Sequence, residues 1–95
     1  MLQICRTYEF LNGNERAEIV FDLIDLEEGE DGEWAVTIRE RTGEYVNSVR
    51  LTGCQDSFAA VESGCTILRG WIARFFRAYG SSGISLNGEG VDSWM

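Results

Sequence analysis

The apolar residues of this chain change their spacing once, near residue 56, and that switch constrains the fold more than any other feature. Up to residue 52 they recur at every second position, the period of a strand with one face on a core. Leu2, Ile4, Tyr8 and Phe10 share one face, while Gln3, Thr7 and Glu9 take the other. Asn12-Gly13-Asn14 then marks a tight turn, because Gly and Asn tolerate the positive φ that hairpins demand. Residues 18–26 are apolar on both faces, which predicts a central strand with a bulge near Asp22. Residues 33–41 alternate with Trp34, Val36 and Ile38 inward, and Thr42-Gly43 forms the next turn. Residues 45–52 set Tyr45, Val49 and Leu51 on one side, completing a four-stranded antiparallel meander.

Beyond the switch, Phe58, Val61, Cys65, Leu68, Ile72, Phe75 and Tyr79 follow steps of three and four, one stripe of an amphipathic helix. Asp56 or Ser57 can cap its start, and Gly80 is a stop. Arg69, Arg74 and Arg77 lie toward its end, where positive charge suits the macrodipole. Gly64 and Gly70 each cost about 1 kcal/mol relative to Ala inside a helix, so close packing is expected at one of them. The fold class that follows is α+β, a ββββα meander with the helix across one face. Residues 1–79 form a single domain. Residues 80–95 are a Gly- and Ser-rich tail, either flexible or docked with Ile84-Ser85-Leu86 as a short strand and Trp94 as an anchor.

Ninety-five residues suit one domain, and five Phe and three Trp can build its core without disulfides or metal. The cysteines, Cys5, Cys54 and Cys65, are odd in number, and Met1 leads into Leu2-Gln3-Ile4 with no export signature. Free thiols and a cytoplasmic location are the expectation. No apolar run approaches the roughly 18 residues that cross a bilayer.

The absence of His excludes the usual triads and imidazole acid–base catalysis, and the absence of Lys excludes a P-loop and Schiff-base chemistry. The cysteine spacing fits neither a redox motif nor a zinc site. Gly88-Glu89-Gly90 lacks the third Gly and the flanking elements of a dinucleotide fingerprint. The chain is therefore read as a non-enzyme with no cofactor and no metal.

Charge is the strongest functional signal. Residues 1–48 hold twelve acids against four arginines, whereas residues 49–95 hold four of each, so the net charge of −8 belongs to the first half. Direct binding to nucleic acid or an anionic membrane is disfavoured, because phosphate neutralisation needs a basic surface. A protein with a basic surface is the natural partner. Between residues 22 and 33 stand seven acids: Asp22, Asp25, Glu27, Glu28, Glu30, Asp31 and Glu33, with Gly29 and Gly32 turning the chain. Three readings compete for this run: a solvated loop, a docking surface for an Arg- or Lys-rich protein, and a Ca²⁺ site that lacks EF-hand order.

A second patch lies on the helix. Ile67 and Trp71 fall outside the Phe58–Tyr79 stripe, with Arg74 nearby, and Trp and Arg are the residue types enriched in binding hot spots. Either the tail covers Trp71 or a partner does, a second copy of the chain included. In architecture and charge the chain resembles immunity proteins and phage-encoded inhibitors of defence enzymes. That resemblance implies a small acidic inhibitor whose carboxylates partly mimic phosphate on a nucleic-acid-handling partner. The alternative is a structural or adaptor module that dimerises or docks through Ile67 and Trp71.

Overall fold

The computed structural model describes residues 3–80, 84–86 and 89–90. Four antiparallel strands follow in order: β1 (Ile4–Asn12), β2 (Glu15–Glu28), β3 (Trp34–Thr42) and β4 (Tyr45–Cys54). One helix, α1 (Ser57–Tyr79), comes next, as the change of period predicts. Two short strands, β5 (Ile84–Leu86) and β6 (Glu89–Gly90), extend the sheet to the order β4-β3-β2-β1-β5-β6. Of the two readings of the tail, the docked strand is the one seen for Ile84–Leu86, which pairs with Tyr8–Phe10. Trp94 lies outside the described residues.

Both predicted hairpin turns form, with closing pairs Asn12–Glu15 and Thr42–Tyr45. Gly13 and Gly43 hold the positive φ these turns require, 69° and 56°. The bulge of β2 is not at Asp22, whose register with Arg39 is continuous. It lies between Ile24 and Glu27, where Asp25 adopts φ 53°. Asp tolerates that left-handed conformation better than a branched residue does.

α1 is capped as expected. The Asp56 carboxylate accepts from the Ala59 N–H at 2.7 Å, and the Gly80 N–H donates to the Phe76 carbonyl at 2.8 Å. The helix lies across one face of the sheet, in contact with all four of β1–β4. Gly64 lies over Leu23, Val36 and Ile38, while Phe75 stacks with Tyr8, Phe10 and Phe21 at ring-centroid separations of 5.1–6.0 Å. All three strand residues beneath Gly64 are fully buried. A Cβ at position 64 stands 2.8 Å from Leu23 Cδ1 and 3.2 Å from Ile38 Cγ2, so this glycine is the point of closest helix–sheet approach. Gly70 has open space around it.

The buried line of the helix runs through Ala60, Gly64, Leu68 and Phe75, which rotates it from the expected stripe. Phe58, assigned inward by its spacing, is 74% exposed. Among the described residues, no helix is long and apolar enough to cross a membrane.

Candidate functional site

The long β2 strand carries Glu27 and Glu28 past the bulge to one end of the sheet, and residues 29–33 bring the chain back as β3. Two backbone bonds close this turn, Gly29 N–H to the Glu33 carbonyl at 2.7 Å and Gly32 N–H to the Gly29 carbonyl at 3.1 Å. The Asp31 carboxylate accepts from the Glu33 N–H at 3.0 Å, using a side-chain oxygen where the backbone offers no partner. Gly32 takes φ 81°. Glu27, Glu28, Glu30, Asp31 and Glu33 are all exposed at this tip.

A cleft of about 320 Å³ opens beside the tip, walled by Glu27, Glu28, Asp31 and Glu33, with half-buried Trp34 and exposed Arg50 also lining it. Arg50 reaches across from β4. Its guanidinium donates to the Thr37 hydroxyl at 2.7 Å and the Asp25 carbonyl at 3.3 Å, and pairs with Glu27. Arg50 thus holds the bulge and neutralises one tip carboxylate. Glu28, Glu30, Asp31 and Glu33 form no ion pair within the described residues, whose pairs are Arg16–Glu9, Arg39–Asp22, Arg41–Asp22, Arg50–Glu27 and Arg74–Glu40. Five of the eight arginines are therefore used elsewhere or already bound, and the tip retains its negative charge. Among the described residues, no three acidic or thiol groups converge on a position that could hold a metal ion.

Asp22 does not belong to this surface. It is fully buried on the sheet face away from α1, under Arg39 and Arg41. Arg39 grips it with two bonds, Nε to Oδ1 at 3.0 Å and Nη2 to Oδ2 at 2.7 Å, and Arg41 adds a third at 3.3 Å. These hydrogen bonds hold the Arg39 guanidinium above its ordinary pKa, against the opposing effect of burial. Register sets its position: Asp22 pairs with Arg39 on β3, so strand alternation points both to one face. Counted along the chain it joined the acidic run, but in space it is a structural anion. Asp25 stays near the tip, exposed, and its carbonyl is engaged by Arg50.

The helix patch lies partly within the core. Ile67 and Trp71 are half-buried and pack against the core cluster, so Trp71 is not an aromatic standing off the buried face. Arg74 donates to Glu40 Oε1 at 2.6 Å. Glu40 is buried on the helix-facing side of β3 and also accepts from Asn47 at 3.1 Å and the Tyr45 hydroxyl at 3.5 Å. Arg74 thus satisfies a buried carboxylate, and an unsatisfied one would cost several kcal/mol. A signal for this pair was present, because the inward series Trp34, Val36, Ile38 continues to Glu40. The roles of Trp34 and Arg50 at the cleft carried no such signal, since they follow from the bulge at Asp25.

No protein-family model, no curated protein and no solved structure matches this chain.

Proposed function

We propose that this chain is a non-catalytic protein-binding inhibitor of immunity or anti-defence type, which docks its acidic tip on the basic surface of a nucleic-acid-handling protein in the cytoplasm. The observation that carries the reading is the tip itself: four exposed carboxylates without cationic partners among the described residues, on a turn held rigid by its own backbone and side-chain bonds. Clustered like charge destabilises a fold, and among the described residues only Asp31 serves the turn itself, through its bond from the Glu33 N–H. It does favour rapid, salt-sensitive encounter with a surface of opposite charge. The cleft beside it suits one arginine or lysine side chain of such a partner. Its carboxylate walls meet the charge, and the Trp34 ring adds a cation–π contact of about 0.5–1 kcal/mol.

A matched pair of variants tests this with an arginine-rich peptide as probe. One variant neutralises the tip (Glu28→Gln, Glu30→Gln, Asp31→Asn, Glu33→Gln). The other neutralises four acids elsewhere (Glu9→Gln, Glu15→Gln, Glu18→Gln, Glu62→Gln). Both lose the same net charge. At low salt the tip variant is expected to lose about tenfold or more in association rate, and the control far less. Equal losses show that net charge alone attracts the peptide, and the docking role of the tip is then wrong.

A further inference from the structure

The two edges of the sheet are treated differently. On one side β5 and β6 continue beyond β1, but among the described residues nothing pairs with the outer edge of β4. That edge is ten residues long and carries a single charge, Arg50. Its register with β3 is regular from Tyr45 to Leu51, and the irregularity comes only at the far end. Tyr45, Val46 and Val49 are 55%, 56% and 40% exposed. Natural sheets blunt such edges with lysine, proline, bulges or short strands. Over its first seven residues β4 carries one charged side chain, Arg50, and none of the other devices.

We infer that two copies of this chain pair edge to edge through β4, antiparallel, about a two-fold axis at Asn47. Charge and turn geometry select that register. In the Gly43-Glu44 hairpin the Tyr45 N–H faces the Thr42 carbonyl, so alternation turns the N–H and C=O groups of Val46, Ser48 and Arg50 outward. With the axis at Asn47, Val46 of each copy meets Ser48 of the other, and both are outward residues. Tyr45 then lies opposite Val49, and Glu44 lies opposite Arg50. An axis at Ser48 instead sets Arg50 against Val46 and leaves Glu44 with no cation opposite it, while Arg50 keeps only its partners within the chain.

Arg50 has capacity for the new contact, because its bonds to Thr37, Asp25 and Glu27 use only Nη1 and Nη2. The antiparallel arrangement also relieves the repulsion between two chains of net charge −8. Each acidic tip adjoins the Thr52–Gly53 end of β4, about six residues from the axis. At ~3.3 Å per residue the tips stand roughly 40 Å apart, several times the Debye length of ~8 Å at physiological salt. The dimer is therefore a continuous eight-strand core sheet with both helices on one face and an acidic tip at each end.

Sedimentation of the full chain over a range of concentrations tests the inference, with a dimer expected for the wild type. Ser48→Pro removes an outward N–H that the β3–β4 ladder does not use, so it is expected to keep its melt and become monomeric. Glu44→Arg and Arg50→Glu each set like charges opposite one another twice per dimer, and each is expected to weaken association at least about tenfold. Mixing these two variants restores opposite charges at both positions, so the mixture is expected to dimerise again. A wild-type monomer at every concentration, or a dimer that survives Ser48→Pro, overturns the proposal. Failure of the mixed variants to recover overturns the register.

Discussion

Gly64 and Gly70 sit six residues apart on the same helix, and alanine should stabilise the fold at Gly70 but not at Gly64. Alanine exceeds glycine in helix propensity by about 1 kcal/mol, chiefly through the backbone entropy of the unfolded chain. At position 70 nothing lies within 4 Å of the new methyl group, so Gly70→Ala should gain that amount nearly in full. At position 64 the same methyl group meets Leu23 Cδ1 at 2.8 Å, Ile38 Cγ2 at 3.2 Å and Val36 Cγ1 at 3.5 Å. None of these three side chains has room to retreat, since all are fully buried. Overpacking of that kind costs typically 1–3 kcal/mol, which cancels or outweighs the propensity gain. Gly64→Ala is therefore expected to be destabilised by up to about 2 kcal/mol, leaving the two variants at least ~1 kcal/mol apart. In a domain of this size that gap separates their melting temperatures by at least about 4 °C. Thermal melts followed by circular dichroism read it directly. Equal stabilisation by the two substitutions would refute the close helix–sheet approach at Gly64.

Further outcomes follow from the buried charges, the helix and the thiols. Asp22→Ala leaves Arg39 and Arg41 facing each other without their anion, and should cost about 2 kcal/mol in urea unfolding, below the usual 3–5 because both guanidiniums keep access to water. Trp71→Arg should lower the melting temperature, because the ring packs against the core; an unchanged melt contradicts its placement. All three cysteines are free, and native alkylation should label exposed Cys5 ahead of half-buried Cys54 and Cys65, with a full count of three after denaturation.

The strands, the helix and both its caps were legible because each rests on a local rule: period, turn chemistry, or a side-chain oxygen before a helix. The rotation of the helix about its axis was not. Apolar and small residues cover more than half its circumference, so spacing alone admits several stripes, and the large residues suggested one running through Phe58. The true contact line passes through Ala60 and Gly64, because two backbones approach closely only where side chains are small. Trp71 moved to the packed side with the same rotation. Asp22 was misplaced for a related reason. Proximity along the chain grouped it with Glu27–Glu33, while its true neighbour, Arg39, is brought beside it by strand pairing. The tip carboxylates were readable as exposed because two glycines and a run of charge admit little else. The cleft was not readable, since it depends on the bulge falling at Asp25, whereas the apolar pattern of residues 18–26 announced one near Asp22.

Confinement of charge recognition to the tip is tested by backbone amide shifts followed while an arginine-rich peptide is titrated into the full chain. Shifts are expected to concentrate on residues 27–34 and the Trp34 indole, with smaller changes at Arg50 and Gly53 across the cleft. They should fade as salt shortens the Debye length from about 10 Å at 0.1 M to 3 Å at 1 M. Shifts spread evenly over Glu9, Glu15, Glu18 and Glu62, or centred on the β1–β2 hairpin, would contradict it.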